Sequence, residues 1–212
     1  MQGYEALREY AAWLDLSKRG EITVRGEDRA RLLHALSSNH VQQLMPGQGV
    51  YAFFLNAQGR ILADANILCR DGDFLLDTEP ETAVALGAHI DRHIIADDVT
   101  LENWTAALPA LAVEGPRSPG VAAALGIALP DEPAAHVAFR GGVAARLSFT
   151  GAPGFRLIVP AAERTALLAE LEAAGAAAAG PEAARVVRLE HGRPRYGEDI
   201  TDANIPQETR QL

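Results

Sequence analysis

Apolar positions recur along this chain in two rhythms, one helical and one alternating. Leu7, Tyr10, Ala11 and Leu14 fall at helical spacing, so residues 4–14 are expected to form an amphipathic helix. Asp15-Leu16-Ser17 ends it, and Glu21-Ile22-Thr23-Val24 reads as a short strand. Gly26-Glu27-Asp28 supplies a turn and an N-cap for a second helix, Asp28 to Leu36. A three-stranded meander follows Pro46-Gly47-Gln48-Gly49. Val50 to Leu55 and Arg60 to Cys69 are strands joined by the hairpin turn Asn56-Ala57-Gln58-Gly59. Arg70-Asp71-Gly72-Asp73 then turns the chain into Phe74-Leu75-Leu76-Asp77.

Glu79 to His93 suits a helix with Val84, Leu86, Ile90 and Ile94 near its apolar side, and Val99 to Glu102 suits a strand. Ala110 to Val113 is a strand stopped by the breaker pair Gly115-Pro116, and Ser118 to Gly126 is a short helix. Val137 to Phe139, Ala144 to Phe149 and Phe155 to Val159 are strand-like. Ala161 to Ala174 is a helix ended by the stretch 176–181, and Glu182 to His191 is the last helix. No internal repeat stands out. Strands and helices mix without a strict βαβ rhythm, so the expected class is α+β and not a doubly wound sheet.

Composition narrows the function classes. The 212 residues hold one large domain or two small ones, and 48% apolar content suits a globular core. A net charge of −9 without Lys/Arg clusters argues against a nucleic-acid surface. The single cysteine, Cys69, excludes an intramolecular disulfide and an all-cysteine metal site within one chain. Met1 to Glu5 carries no basic or apolar leader pattern, and the run Ala173 to Ala179 is far short of the roughly 20 apolar residues of a membrane span. A cytoplasmic chain with no membrane or nucleic-acid partner is expected.

Candidate chemistry is sparse. His89 and His93 sit four apart on one helix face, but no His-Glu-x-x-His pattern surrounds them; two exposed helix histidines and no metal site are expected. Neither a nucleophile elbow nor a glycine-rich phosphate loop occurs, and Cys69 reads as a buried inert thiol. Two carboxylates remain. Asp64 sits in a strand among small and apolar residues, where it either faces solvent or meets a partner that repays its desolvation. Glu190 precedes a turn, where it either pairs with Arg188 or Arg193 or accepts two N–H donors from a planar heterocycle. Arg60, Arg193 and Arg195 could form a local basic lip for an anionic ligand.

Six motifs in order resemble one family. They are Asp15-Leu16-Ser17; Val24-Arg25-Gly26-Glu27-Asp28; Asn56-Ala57-Gln58-Gly59-Arg60-Ile61-Leu62-Ala63-Asp64; Glu114-Gly115-Pro116; Thr150-Gly151-Ala152-Pro153-Gly154-Phe155; and Arg188-Leu189-Glu190 with Tyr196-Gly197-Glu198-Asp199-Ile200. Together they resemble the YgfZ/GcvT group, which comprises the folate-binding YgfZ proteins and the glycine cleavage T-protein, an aminomethyltransferase. The resemblance implies a split first domain, residues 1–45 and 106–212, with a second α+β domain, 46–105, inserted in it. It implies that the family's third, β-barrel domain is absent from these residues.

The resemblance also implies tetrahydrofolate as cofactor. Asp64 would be the catalytic carboxylate, lying near the reduced pterin, and Glu190 would hold the amino-pyrimidine edge. Arg195 and Tyr196 would line the pocket. Asp77-Thr78 stands where T-proteins have Asn-Ala, and Ala63-Asp64 where they have Asp-Asp; with Pro206-Gln207-Glu208 these favour the YgfZ side, although its Lys-Gly-Cys-Tyr-x-Gly-Gln-Glu hallmark would fall beyond Leu212. The implied function is a tetrahydrofolate-binding protein supporting iron–sulfur cluster assembly or repair, with iron–sulfur client proteins as partners. The alternative is an aminomethyltransferase working with a lipoyl carrier protein, in which Asp64 orients the attacking folate amine or stabilises an iminium-like state. A further alternative is a non-catalytic short form of the family.

Overall fold

The computed structural model describes residues 1–211. In chain order the elements are α1 (Tyr4–Glu9), β1 (Ala12–Leu16), β2 (Gly20–Arg25), α2 (Arg29–Leu36), β3 (Gly49–Leu55), β4 (Ile61–Cys69), β5 (Phe74–Thr78), α3 (Ala83–Asp91) and β6 (Thr100–Asn103). They continue with β7 (Ala110–Glu114), α4 (Ser118–Ala124), β8 (His136–Phe139), β9 (Gly142–Ala145), β10 (Gly154–Ile158), α5 (Arg164–Ala173), β11 (Ala177–Ala178), α6 (Pro181–Glu190) and α7 (Pro206–Thr209). Sheets that are antiparallel except for the parallel β1-β11 edge pair, with segregated helices, make the fold α+β, as the sequence implies.

Two compact units form. The first is Met1–Lys18 with Ala106–Arg193, and the second is Arg19–Thr105 with Pro194–Leu212. The cut after Thr105 falls where expected, but the first cut falls after Lys18 and not after residue 45, and the chain returns to the second unit at Pro194. Residues 19–45 go with the second unit because β2 is hydrogen-bonded between β5 and β6. The C-terminal segment joins the same unit because Ile200 and Tyr196 pack with Phe53 and Ile61.

The second unit is a five-stranded sheet in the order β3-β4-β5-β2-β6. Strand alternation sorts its side chains into two faces. Ile22, Val24, Ala52, Phe54, Ala63, Ala65, Ile67, Phe74 and Leu76 form one apolar core with Leu32 and Leu33 of α2 and Leu86 and Ile90 of α3. The alternate positions are Tyr51 and Phe53 on β3, Asp64 and Asn66 on β4, and Leu75 and Asp77 on β5. That second face carries the polar side chains.

The first unit holds the sheet β11-β1-β7-β10-β9-β8 over a core of Leu111, Val113, Val121, Phe155, Leu157, Leu167 and Leu171. Its connectivity from β7 onward, β-α-β-β-β-α-β, is that of the second unit from β2 onward. The β8-β9-β10-β7 order mirrors β3-β4-β5-β2. The strand-to-helix turns also match. Gly26 and Gly115 have φ of 104° and 118°, a left-handed region open mainly to glycine. A Cβ on Gly26 would lie 1.9 Å from the Asp98 carbonyl oxygen, and one on Gly115 2.5 Å from that of Tyr10. Two residues on, the amides of Asp28 and Arg117 donate to those same carbonyls. So β1 takes the place beside β7 that β6 has beside β2, and β11 is added outside it. The expectation of no internal repeat is thus corrected: only Val and Gly recur by identity across Ile22–Gly26 and Leu111–Gly115, while the topology is repeated.

Two element assignments also change. The helix expected over residues 4–14 stops at Glu9, and Ala12–Leu16 is a strand paired with β7. The strand expected over 144–149 ends at Ala145; the chain beyond it wraps the buried Glu114 carboxylate, which accepts from the Thr150 amide (2.9 Å), the Phe149 amide and the Ser148 hydroxyl (3.2 Å). Among the described residues no helix is long and apolar enough to cross a membrane.

Candidate functional site

The polar face of the second unit gathers the strongest unusual chemistry. Asp64 lies in the middle of β4 and is 7% exposed, so it does not face solvent. Its Oδ2 accepts from the Tyr51 hydroxyl at 2.8 Å, and its Oδ1 is buried with no hydrogen-bond partner. Tyr51 reaches it from β3, where Phe53 pairs directly opposite Asp64. Burial, then the nearby Glu79 charge, raise the Asp64 pKa to about 6, against the lowering effects of Arg19 and the Tyr51 hydrogen bond. An unsatisfied buried carboxylate oxygen is costly, and the cost falls when a donor arrives.

A charged lattice sits beside it. Asn66 donates to Asp77 at 2.8 Å, and Asp77 accepts from Arg19 Nε at 2.5 Å. Arg19 also pairs with Glu79, and it is 6% exposed. These neighbouring acids hold its guanidinium well above its ordinary pKa despite the opposing effect of burial. Arg195 extends the lattice, pairing with Glu79 at 2.9 Å and with Glu81 at 2.8 Å. The three acids Asp77, Glu79 and Glu81 are thereby only partly compensated by two arginines, and Glu79 still raises the Asp64 pKa.

The Tyr196-Gly197-Glu198-Asp199-Ile200 segment is a closed turn. Gly197 has φ of 85°, its amide donates to the Ile200 carbonyl at 2.8 Å, and Asp199 accepts from the Arg195 amide at 3.0 Å. The turn sets the half-buried Tyr196 ring and Ile200 against Phe53 and Ile61. Burial, then the charges of Asp202 and Asp64, raise the Tyr196 pKa. Asp64, Arg195 and Tyr196 therefore all belong to the second unit.

Glu190 belongs to the first unit and ends α6. It is exposed and not buried. Its Oε1 accepts from the Tyr4 hydroxyl and its Oε2 from Arg8, both at 2.7 Å. Arg188, buried to 1% exposure, donates to the Arg193 carbonyl. Of the basic lip, Arg60 is bonded to the Ala203 carbonyl and Arg195 to the acids above.

Sequence reasoning missed Arg19, Tyr51 and Asn66. The period-2 step from Asp64 to Asn66 was the available signal for a polar strand face. Arg19 gave none, because Lys18-Arg19 beside Gly20 looks like a solvated turn. The histidine expectation is corrected in half: His93 is exposed, whereas His89 is 7% exposed. Cys69 is buried, with burial raising its thiol pKa. Among the described residues no cluster of three or more His, Cys, Asp or Glu could hold a metal ion.

Comparison with known proteins agrees with this architecture. An aminomethyltransferase of Rubrobacter xylanophilus is 33% identical over 213 residues, which cover 97% of this chain and 57% of that protein. One from Nitrosomonas eutropha is 31% identical, covering 97% of this chain and 59% of its own length. The chain thus spans somewhat more than half the length of these relatives. The glycine cleavage system aminomethyltransferase T from Bartonella henselae shares the fold, with a TM-score of 0.87 at 24% identity over 96% of this chain and 57% of that one. The GCVT N-terminal domain family matches residues 1–210, and the chain belongs to that family.

Proposed function

We propose that this chain is a tetrahydrofolate-binding domain of an aminomethyltransferase-type protein, with Asp64 as its central carboxylate. The observation that carries the reading is the orphaned Oδ1 of a buried Asp64, beside Tyr51 on the polar sheet face. An N–H donor of a reduced pterin suits that oxygen in charge and hydrogen-bond sense. Bound tetrahydrofolate would supply the nucleophilic amine that accepts a one-carbon unit. Asp64, with a pKa of about 6, is mostly a carboxylate at neutral pH; it would orient that amine and stabilise positive charge next to it. Tyr51 donates to Oδ2, which leaves Oδ1 for the ligand. Arg195 acts through Glu79 and Glu81, and Tyr196 supplies a half-buried aromatic wall.

Glu190 is a second candidate ligand. Its two oxygens are engaged by Tyr4 and Arg8, so a pterin edge would have to share or displace those donors. The aminomethyltransferase reading is favoured over an iron–sulfur maintenance role by the relatives described above, which are aminomethyltransferases. The motif departures at Asp77-Thr78 remain the ground for the iron–sulfur role.

Titration with tetrahydrofolate, read by the fluorescence of Trp13 and Trp104, tests the proposal. Binding should saturate, and Asp64→Asn should weaken it by roughly tenfold or more, the value of a lost charge-assisted hydrogen bond. Glu190→Ala should weaken it more than Glu170→Ala, a control at a partly exposed position of α5 that pairs with Arg140. Saturation with the same affinity in wild type and Asp64→Asn would sink the assignment.

A further inference from the structure

The second unit carries a further cleft of about 670 Å³, where the C-terminal ends of α2 and α3 meet the β3-β4 hairpin. Leu36, Leu55 and Leu62 give it an apolar wall, and the end of α3 supplies His89, Arg92 and His93. Among the described residues that line it, none is acidic, in a chain whose net charge is −9. Arg92 is exposed and has no carboxylate partner among the described residues, whereas most other arginines of this unit are paired.

The histidines add a second, independent observation. His89 is 7% exposed, and neither ring nitrogen has a hydrogen-bond partner. Burial, then the His93 and Arg92 charges, lower its pKa and keep the ring neutral, with one donor and one acceptor to offer. Leaving both buried and unbonded costs free energy that a bound polar group would recover. The His93 ring lies 4.8 Å from it, anchored through Nδ1 to the His89 carbonyl at 2.7 Å. That anchor leaves Nε2 as the free position of His93.

We infer that this cleft binds a small organic anion, with a carboxylate or phosphate head at Arg92 and His93 and an apolar body along Leu36, Leu55 and Leu62. The volume is that of an ordinary small-molecule site. A divalent cation is disfavoured: it would find two imidazoles, no carboxylate and an adjacent guanidinium.

The site is independent of the folate reading, and the test keeps the two apart. 4-Phenylbutyrate and phenyl phosphate, one for each head group, are titrated into the whole chain while histidine ring resonances are followed by NMR. At least one should saturate with Kd below about 1 mM and shift both His89 and His93. The neutral 4-phenylbutanol should bind roughly fivefold more weakly, as should the acid to Arg92→Gln, while Arg92→Lys should stay within about twofold of wild type. Asp64→Asn should leave all these affinities unchanged. Equal binding of the alcohol and the acid, no loss in Arg92→Gln, or ring shifts with Zn²⁺ but with neither anion would overturn the inference.

Discussion

Asp64 shows how a single residue can be costly to the fold and useful to the site. Its folded pKa of about 6 lies above the ordinary carboxylate value, so the folded state holds its proton more tightly than the unfolded chain does. The stability this contributes is fully present below about pH 4 and is lost as pH rises through 6. Above that, folding must bury an ionised group whose Oδ1 has no partner. Asp64→Asn should therefore be more stable than wild type at pH 8, by about 1–3 kcal/mol, with the gap shrinking toward pH 4. Urea unfolding at several pH values reads this directly, and a gap independent of pH would contradict it. Tetrahydrofolate affinity should move the opposite way in wild type, growing as pH rises through 6 because the carboxylate form accepts the ligand's N–H. A variant that gains stability while losing ligand is the expected signature of a functional buried acid.

At the scale of elements, the strand meander β3-β4-β5 was legible because alternation, hairpin turns and length all agree there. β1 was not. Leu7, Tyr10, Ala11 and Leu14 satisfy a helical spacing, yet the helix ends at Glu9 because the Tyr10 carbonyl is taken by the Arg117 amide and Ala12–Leu16 pairs along β7. Both partners lie about a hundred residues away, so no local pattern carries the information. The same reason hid the Arg19–Asp77–Glu79 lattice, whose members come from two strand ends. The fate of 144–149 turns on Glu114, fully buried at the end of β7 and bonded to the Phe149 and Thr150 amides. Removing it in Glu114→Ala leaves those donors buried and unpaired, for an expected loss of about 3 kcal/mol. Thermal melts would show it; a change below about 1 kcal/mol would mean that the turn re-forms around water.

At the scale of the whole molecule, the second unit is built from two chain segments, and its site depends on the later one. Pro194–Leu212 brings Tyr196 and Ile200 onto Phe53 and Ile61, and Arg195 onto Glu79 and Glu81. Ending the chain at Arg193 would uncover that apolar cluster, and burying two such side chains is worth about 4 kcal/mol. It would also take one of two arginines from the acids near Asp64. With less positive charge there, the Asp64 pKa should rise further, since the Glu79 charge already raises it. Three effects are expected together: a Tm lowered by roughly 10 °C, a binding transition shifted to higher pH, and weakened tetrahydrofolate binding at pH 7. Arg195→Ala separates the contributions, because it keeps Tyr196 and Ile200 in place while removing the charge. It should reproduce the pH shift with a much smaller loss of Tm. If Arg195→Ala lowered Tm as far as the truncation and left the pH dependence alone, Arg195 would be a structural strut and not an electrostatic support of Asp64.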